Sequence, residues 1–254
     1  MTIVNAPLIS IITIVYNGDK FLERTIQSII KQSYNRIEYI IIDGNSNDKT
    51  LEIINNYAHN ITFWQSEPDK GLYDAMNKGI KAAKGEYLLF INAGDELFDE
   101  GTIKKIVHSA SDLPDIYYGE TLMVNENYLP IGTRSEVTPH KLPLRLKWQD
   151  MAYGMVVCHQ SILVKRTIAD FYNTNHPYCA DIDWIIKALK KSKTVVNVGF
   201  NVSKYLKGGI SDKQLKKSLV DRFKVMQEHF GLFRTVFSHI FITVRAIWFY
   251  KMKN

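Results

Sequence analysis

Residues 8–17 read LISIITIVYN, an apolar run that only Ser10 and Thr13 interrupt and that ends on the polar pair Tyr16-Asn17. This length and composition are typical of a β-strand buried on both faces. Apolar residues then recur at helical spacing over residues 21–30, with Asp19 placed to cap the helix. The N-terminal segment therefore predicts a strand followed by a helix.

The same alternation continues to about residue 98. Apolar runs at residues 37–42, 61–65 and 87–91 predict three more strands, and helical spacing marks residues 51–57 and 73–84, the latter closing at Gly85. Alternating strands and helices with short connections favour an α/β fold, a parallel sheet with helices on both faces. Less regular patterns follow: helices at 102–109, 181–191, 213–230 and 233–250, and strands at 116–124, 161–165 and 194–200.

Polar clusters follow each of the first four predicted strands. Tyr16-Asn17 ends the first, Asp43 the second, Asp69 the third and Asp95 the fourth. In parallel sheets, ligands bind at the carboxyl ends of the strands, where the strand order changes direction. The sequence therefore predicts a polar ligand site at this edge.

Composition narrows the classes of function. The 254 residues carry 32 Lys+Arg and 26 Asp+Glu, a formal net charge of +6, and 46% are hydrophobic, which excludes a disordered or fibrous chain. Two cysteines, Cys158 and Cys179, form neither a disulfide framework nor a zinc motif. Because no glycine-rich phosphate loop follows the first strand, a dehydrogenase or an ATPase is disfavoured. The N-terminus lacks signal-peptide features, so we expect a cytoplasmic protein.

Three aspartates are candidates for chemistry. Asp95 could hold a hard divalent cation, although an Asp at this position could equally begin a turn or cap the next helix. Asp181 or Asp183 could act as a general base, although local sequence also suits helix capping and interaction with the helix dipole.

Four motifs in order resemble bacterial family 2 glycosyltransferases that build cell-surface polysaccharides such as O-antigen, capsule or exopolysaccharide. They are residues 13–17 (TIVYN), 42–48 (IDGNSND), 67–79 (EPDKGLYDAMNKG) and 92–95 (NAGD). The resemblance is dense over residues 7–98 and thins to residues 159–160, 180–183 and 208–211.

The resemblance implies a GT-A (Rossmann-like) fold with a mostly parallel sheet, and inverting transfer from a nucleotide-sugar, with a UDP-sugar favoured. The acceptor would be a hydroxyl of a glycan or of a polyprenyl-diphosphate-linked sugar. Asp95 would bind Mn²⁺ or Mg²⁺, and Asp181 would be the catalytic base, with Asp183 as the fallback. His159 and Gln160 would lie on the acceptor or diphosphate side. The donor-binding residues would be Thr13, Tyr16, Asn17, Asp43, Asp69, Asp74 and Asn92.

Two of the motifs depart from the family's pattern. Gly44 stands where a second aspartate is frequent, and Asn92 and Gly94 stand where acidic residues are frequent. Asp95 is therefore the single carboxylate of the metal motif.

The predicted organisation is a glycosyltransferase domain at 1–205, divided into a nucleotide-sugar half (7–98) and an acceptor half (99–205), and a basic amphipathic helical tail at 206–254. Residues 233–250 have the length of a membrane span, but Arg234, His239 and Arg245 interrupt them. We therefore expect a helix lying on an anionic membrane, which would make the protein peripheral on the inner face of the plasma membrane. Packing of this helix on the domain or in a homodimer is the alternative.

Two further functions compete with transfer. A nucleotidyltransferase would need a glycine-rich basic loop after the first strand, where residues 16–19 read YNGD. A non-catalytic nucleotide-sugar binder or scaffold of a polysaccharide assembly complex stays open. Nucleic-acid binding is disfavoured, because the basic residues lack an RNP-type aromatic platform or a helix-turn-helix pattern.

Overall fold

The structure is a computed structural model that describes residues 6–208 and 214–253. Its strands are β1 (Ile9–Val15), β2 (Ile37–Asp43), β3 (Phe63–Ser66), β4 (Tyr87–Phe90), β5 (Glu96–Leu97), β6 (Ile116–Val124), β7 (Pro130–Thr133), β8 (Ile162–Lys165) and β9 (Val195–Leu206). Its α-helices are α1 (Leu22–Ile30), α2 (Thr50–Asn56), α3 (Leu72–Ala82), α4 (Thr102–Val107), α5 (Arg134–Val137), α6 (Ala180–Lys191), α7 (Leu215–Phe230) and α8 (Leu232–Lys253).

Within the described residues one sheet runs in the order β3-β2-β1-β4-β8-β6-β9-β5, with β7 paired to β6. The first four of these strands are parallel, as the alternation predicted. Beyond β4 the sheet is mixed, because β8 lies antiparallel to both β4 and β6. The segment from β6 to β8 contains β7, the four-residue α5 and short 3-10 turns instead of a long crossover helix, and such a connection suits an antiparallel return.

Two hydrophobic cores cover the two faces of the sheet. Ile9 and Ile11 of β1 pack into the core that holds α1 and α4, whereas Ile12 and Ile14 pack into the core that holds α3 and α6. Alternate residues of a strand point to opposite faces, so a strand that is apolar throughout must be covered twice. This is the predicted two-sided arrangement.

Two predicted helix ends differ from the structure. The N-cap of α1 is Phe21, without a side-chain hydrogen bond, so Asp19 is not its cap. Gly85 is not the left-handed cap of α3, because α3 ends at Ala82. A Cβ on Gly85 would instead lie 2.6 Å from the backbone nitrogen of Ser10, so the glycine is needed for close contact with β1.

The C-terminal segment forms two helices, as predicted. α7 packs on α6, and α8 packs on α7 and on the 3-10 turn Trp148–Tyr153. Within the described residues, 232–252 form one helix long and apolar enough to cross a membrane by length and composition. The predicted start at Lys213 and the resembling residues Gly209, Ile210 and Ser211 lie outside the described part of the chain.

Candidate active site

A cleft of about 810 Å³ opens at the carboxyl ends of β1 and β4, where the strand order changes direction. Its walls come from both halves of the chain. Eight residues that the sequence nominated line it: Tyr16, Asn17, Asp69, Asn92, Asp95, His159, Gln160 and Asp181.

Thr13 and Asp43 lie beneath the cleft, fully buried, and do not line it. Thr13 donates a hydrogen bond to the carbonyl of Ile91 at 2.7 Å. Asp43 accepts hydrogen bonds from the backbone and the hydroxyl of Ser46 and from the hydroxyl of Ser66. Asp43 therefore orders the loop below the cleft, because these donors already occupy its carboxylate.

This loop supports the residues at the cleft mouth. The hydroxyl of Ser46 accepts a hydrogen bond from the backbone of Asn17 at 2.8 Å, and Asn17 adopts a left-handed conformation with φ 49°. Asn tolerates this conformation better than most residues. Tyr16 is consequently held 64% exposed, which is unusual for an aromatic residue next to a buried strand.

Gly44, one of the two departures, has a local structural role. A Cβ at this position would lie 2.5 Å from Oδ2 of Asp69 and 3.3 Å from the ring of Tyr16. The missing side chain therefore allows the Asp69 carboxylate and the Tyr16 ring to approach the end of β2.

Asp74 does not line the cleft. Its Oδ2 accepts a hydrogen bond from the backbone of Lys70 at 3.0 Å and lies 3.9 Å from Nζ of Lys78. It stabilises the first turn of α3 and the loop before it.

Asp95 lies in the cleft with 5% of its surface exposed. Its Oδ2 accepts a hydrogen bond from Nε2 of Gln160 at 2.8 Å, and its Oδ1 accepts one from the backbone of Leu206 at 3.0 Å. Burial raises the pKa of Asp95 from 3.8 to about 7, although these hydrogen bonds oppose the rise. Asp99, not Asp95, accepts the hydrogen bonds at the start of α4, so the capping alternative for Asp95 is wrong.

Asn92 could offer a second oxygen to a hard cation. Its side-chain Oδ1 is buried without a hydrogen-bond partner, although an unsatisfied buried polar atom is costly. In the part of the chain that the structure describes, no three His, Cys, Asp or Glu side chains gather as metal ligands. The unsatisfied amide oxygen and the Asp95 carboxylate nevertheless suit Mn²⁺ or Mg²⁺, whose remaining ligands can be phosphate and water oxygens.

Asp181 lies across the cleft, in the first turn of α6. Its Oδ1 accepts hydrogen bonds from the hydroxyl of Tyr73 at 3.1 Å and from the backbone of Ile182 at 2.9 Å. Burial raises the pKa of Asp181 from 3.8 to about 6. The N-cap of α6 is Cys179, so the alternative in which Asp181 caps the helix is wrong.

A helix from the tail holds the loop that precedes Asp181. Asp221 of α7 accepts hydrogen bonds from the backbones of Tyr178 and Cys179 at 2.9 and 3.0 Å, and it pairs with Nδ1 of His176 at 2.9 Å. The position of Asp181 thus depends on a residue about forty positions later in the chain.

Asp183 is buried outside the cleft. It pairs with Nζ of Lys187 and with Nε2 of His229, both at 2.7 Å. Burial opposes ionisation, but the hydrogen bonds from His229 and Lys187 lower its pKa below the ordinary value. Asp183 is therefore an ionised structural partner that does not reach the cleft.

His159 and Gln160 reach the cleft through different roles. Burial lowers the pKa of His159 to about 3, so its ring is neutral, and Nε2 lies 2.6 Å from the hydroxyl of Tyr172. The ring packs between Phe90 and Trp184. His159 thus shapes the wall without charge, and Gln160 holds Asp95.

The cleft residues that the sequence did not nominate include Tyr73, Arg134 and Lys207. Tyr73 precedes Asp74 inside the motif at residues 67–79, so the sequence predicts a functional segment around it. The motif does not predict the hydrogen bond from Tyr73 to Asp181. Arg134 lies in the irregular segment after β7, where no motif marks it. Lys207 lies in the segment that the sequence predicts as a basic tail.

Comparisons with known proteins agree on one family. The model of the family described as Glycosyl transferase family 2 matches residues 10–171. A relative from Mycobacterium tuberculosis, a PGL/p-HBAD biosynthesis glycosyltransferase, is 30% identical over an alignment of 232 residues that covers 84% of this chain and 84% of the relative.

Solved structures show the same fold. TarS 1-349 of S. aureus in complex with UDP-GlcNAc matches with a TM-score of 0.65 at 19% identity, over 86% of this chain and 64% of that one. The mannosyltransferase PcManGT of Pyrobaculum calidifontis, in complex with GDP-Man and Mn²⁺, matches with a TM-score of 0.62 at 15% identity, over 97% and 74%. The fold that the resemblance implied is therefore confirmed.

We expect Asp181→Asn to stabilise the protein at neutral pH. Burial raises the pKa of Asp181 to about 6, so stability that is present below about pH 4 is lost as the pH rises through 6 and the buried carboxylate ionises. Asn keeps an acceptor oxygen and cannot ionise. Because Asp181 is partly exposed, we expect the free energy of unfolding of the variant to exceed that of the wild type by only about 1–2 kcal/mol. Urea unfolding at pH 4 and 7.5 measures it; equal stability of both proteins at pH 7.5 would contradict the pKa shift.

Proposed function

The chain belongs to glycosyl transferase family 2, and from this premise we propose that it is an inverting, metal-dependent enzyme that moves a sugar from a UDP-sugar to a hydroxyl. The observation that carries the proposal is the meeting of Asp95 and Asp181, 86 positions apart in sequence, in one cleft. The Asp95 carboxylate is buried and that of Asp181 is partly buried, and each is hydrogen-bonded to a residue of the other half of the chain.

The nucleotide binds at the mouth of the cleft in this proposal. Tyr16 presents an exposed ring beside Asp69, and an aromatic face suits stacking on a base. The UDP-GlcNAc complex of TarS supports a uridine nucleotide, whereas the GDP-Man complex of PcManGT supports a guanosine one. We favour UDP.

Asp95 and the amide oxygen of Asn92 would hold the divalent cation, and Gln160 and the backbone of Leu206 fix the orientation of the Asp95 carboxylate. The cation would supply Lewis-acid stabilisation of the negative charge on the leaving diphosphate. The Mn²⁺ complex of PcManGT supports this assignment.

Asp181 acts as the general base. It removes the proton from the acceptor hydroxyl while the oxygen attacks the anomeric carbon opposite the nucleotide. The bond between that carbon and the diphosphate oxygen breaks, the nucleoside diphosphate leaves, and the sugar is transferred with inversion. A pKa of about 6 suits this role, since the carboxylate is ionised at neutral pH and still basic enough to accept a proton.

The acceptor in this proposal is a glycan hydroxyl or a polyprenyl-diphosphate-linked sugar, reached from the inner face of the plasma membrane. Helix α8 supports this location because its polar residues face the protein and its apolar residues face outward, the reverse of an ordinary surface helix. Thr235, Ser238 and His239 face the protein. The outward residues Phe233, Phe237, Ile240, Val244, Ile247 and Trp248 are 57% to 82% exposed. An apolar face with flanking Lys and Arg suits an anionic membrane surface.

A non-catalytic nucleotide-sugar binder would keep Tyr16 and the metal oxygens but would have no use for a base with a raised pKa. Release of UDP that depends on an acceptor separates the two functions.

We expect Asp181→Asn to abolish transfer, lowering kcat by at least about 10³-fold, while UDP-sugar binding with Mn²⁺ stays within about twofold. In the wild type, kcat/KM should rise with pH through about 6, because Asp181 must be ionised. Acceptor-dependent UDP release and titration calorimetry measure these quantities.

Asp183→Asn tests the fallback assignment. Asp183 is paired with Lys187 and His229 outside the cleft, so this variant should be less stable than the wild type. Its kcat/KM should still rise with pH through about 6, as in the wild type. Near-normal turnover of Asp181→Asn, or loss of transfer only in Asp183→Asn, would refute Asp181 as the base.

We expect the double variant Ile240→Glu with Ile247→Glu to lose binding to phosphatidylglycerol vesicles by about tenfold or more, because two charges replace apolar contact with lipid. Phe63→Glu, which adds a charge at an exposed apolar position on the edge strand β3, is the matched control. Vesicle co-sedimentation measures both. If both variants partition like the wild type, the outward face of α8 does not bind lipid.

A further inference from the structure

A cluster of cations lies where α7 and α8 meet the segment after β7. It consists of Arg134, Arg222 and Arg245 around His140, and we call it the arginine cluster. Nη2 of Arg245 donates hydrogen bonds to Nδ1 of His140 at 2.9 Å and to the carbonyl of Tyr153 at 2.8 Å. Arg134 donates through Nη2 to the carbonyl of Met155. Neutral protein groups thus orient two of the three guanidinium groups.

Within the described residues the cluster has little counter-charge: the charge of Glu120 acts on Arg134, whereas Arg222 and Arg245 have no paired carboxylate. The Nε atoms of both are buried without a hydrogen-bond partner. Buried charged donors left unsatisfied are costly, so such a group needs an explanation.

Burial and the same excess of positive charge lower the pKa of His140, at the centre of the cluster. Burial, followed by the charges of Arg134, Arg245 and Arg222, lowers the pKa of His140 to about 3. His140 therefore stays neutral and accepts from Arg245. Gly154 makes room for its ring, since a Cβ there would lie 2.6 Å from Cε1 of His140.

The position of the cluster indicates its ligand. Arg134 and Met155 line the active-site cleft, and both come from the second half of the chain. Arg245 belongs to α8, whose other face is the outward apolar surface. A group held by the cluster would lie between the cleft and the proposed membrane surface.

We infer that the arginine cluster binds the phosphate or diphosphate group of a lipid-linked acceptor, placing the acceptor sugar toward Asp181. Three guanidinium groups match the negative charge and the oxygen acceptors of a diphosphate, and bidentate guanidinium–phosphate hydrogen bonds are strong. The inference rests on the proposed function and names the acceptor class of the same site.

The test uses full-length protein with farnesyl diphosphate as the acceptor-like probe, farnesol as its uncharged analogue, and UDP with Mn²⁺ as the donor probe. Arg222→Gln and Arg245→Gln should each weaken farnesyl diphosphate binding by about tenfold or more. Lys224→Gln is the control, because it removes an exposed cation from α7, the helix that carries Arg222. It should change farnesyl diphosphate binding less than about twofold. UDP affinity should stay unchanged in all three variants.

Folding is controlled separately. Arg222→Gln removes an unpaired buried charge, so its Tm without ligand should equal or exceed that of the wild type. Inorganic pyrophosphate should raise the Tm of the wild type more than that of Arg222→Gln, because stabilisation follows ligand occupancy.

Three results would overturn the inference. Equal binding of farnesol and farnesyl diphosphate would show that only the lipid chain is recognised. If UDP affinity fell together with farnesyl diphosphate affinity in the arginine variants, the cluster would belong to the donor site. Loss of phosphatidylglycerol-vesicle binding with unchanged farnesyl diphosphate affinity would assign it to bilayer headgroups. Failure of the wild type to bind UDP would instead refute the proposed function and leave the anion measurement standing.

Discussion

The buried carboxylate of Asp95 is the constraint on which the cleft depends. It lies at the end of the parallel strands, yet its two oxygens are held by the side chain of Gln160 and the backbone of Leu206, both from the second half of the chain. These hydrogen bonds join the segment after β4 to the residues just before β8 and to the end of β9. A charge buried this deeply is costly, and burial accordingly raises its pKa to about 7. A bound cation would offset that cost.

Two aspartates of α6 show how surroundings separate chemistry from structure. Asp181 and Asp183 are two positions apart, so they project from the helix in different directions. Asp183 meets Lys187 and His229, which lower its pKa, whereas Asp181 meets the neutral hydroxyl of Tyr73, and burial raises its pKa to about 6. Only the second arrangement leaves a carboxylate that faces the cleft and can accept a proton.

The sequence predicted the strands and helices of residues 8–91 well, because runs such as 8–15 and 37–42 can be covered only in a doubly layered sheet. The resemblance also implied that Asp95 and Asp181 serve one site, and both line the same cleft. The sequence could not separate cleft residues from residues beneath the cleft: Thr13 and Asp43 satisfy backbone and hydroxyl groups, which depends on tertiary contacts. The sequence also could not predict the hydrogen bonds of Arg134 to Met155 and of Asp221 to the loop before Asp181. Both contacts join segments that are distant in sequence and carry no recurring pattern.

Helix α8 has its polar residues on the side that faces the protein and apolar residues on the outward side. Its inward Arg245 lies near Arg134, a residue that lines the cleft, so the helix connects the cleft to the surface of the molecule. The central claim is that Asp95 and Asp181 flank one cation-bridged nucleotide-sugar. A crystal structure of the protein with UDP and Mn²⁺ tests it most directly. We expect the cation against the Asp95 carboxylate, the uracil beside Tyr16, and Asp181 free of the nucleotide and open to an acceptor. A nucleotide bound outside this cleft, or a cation held by other residues while Asp95 keeps only its present partners, would contradict the claim.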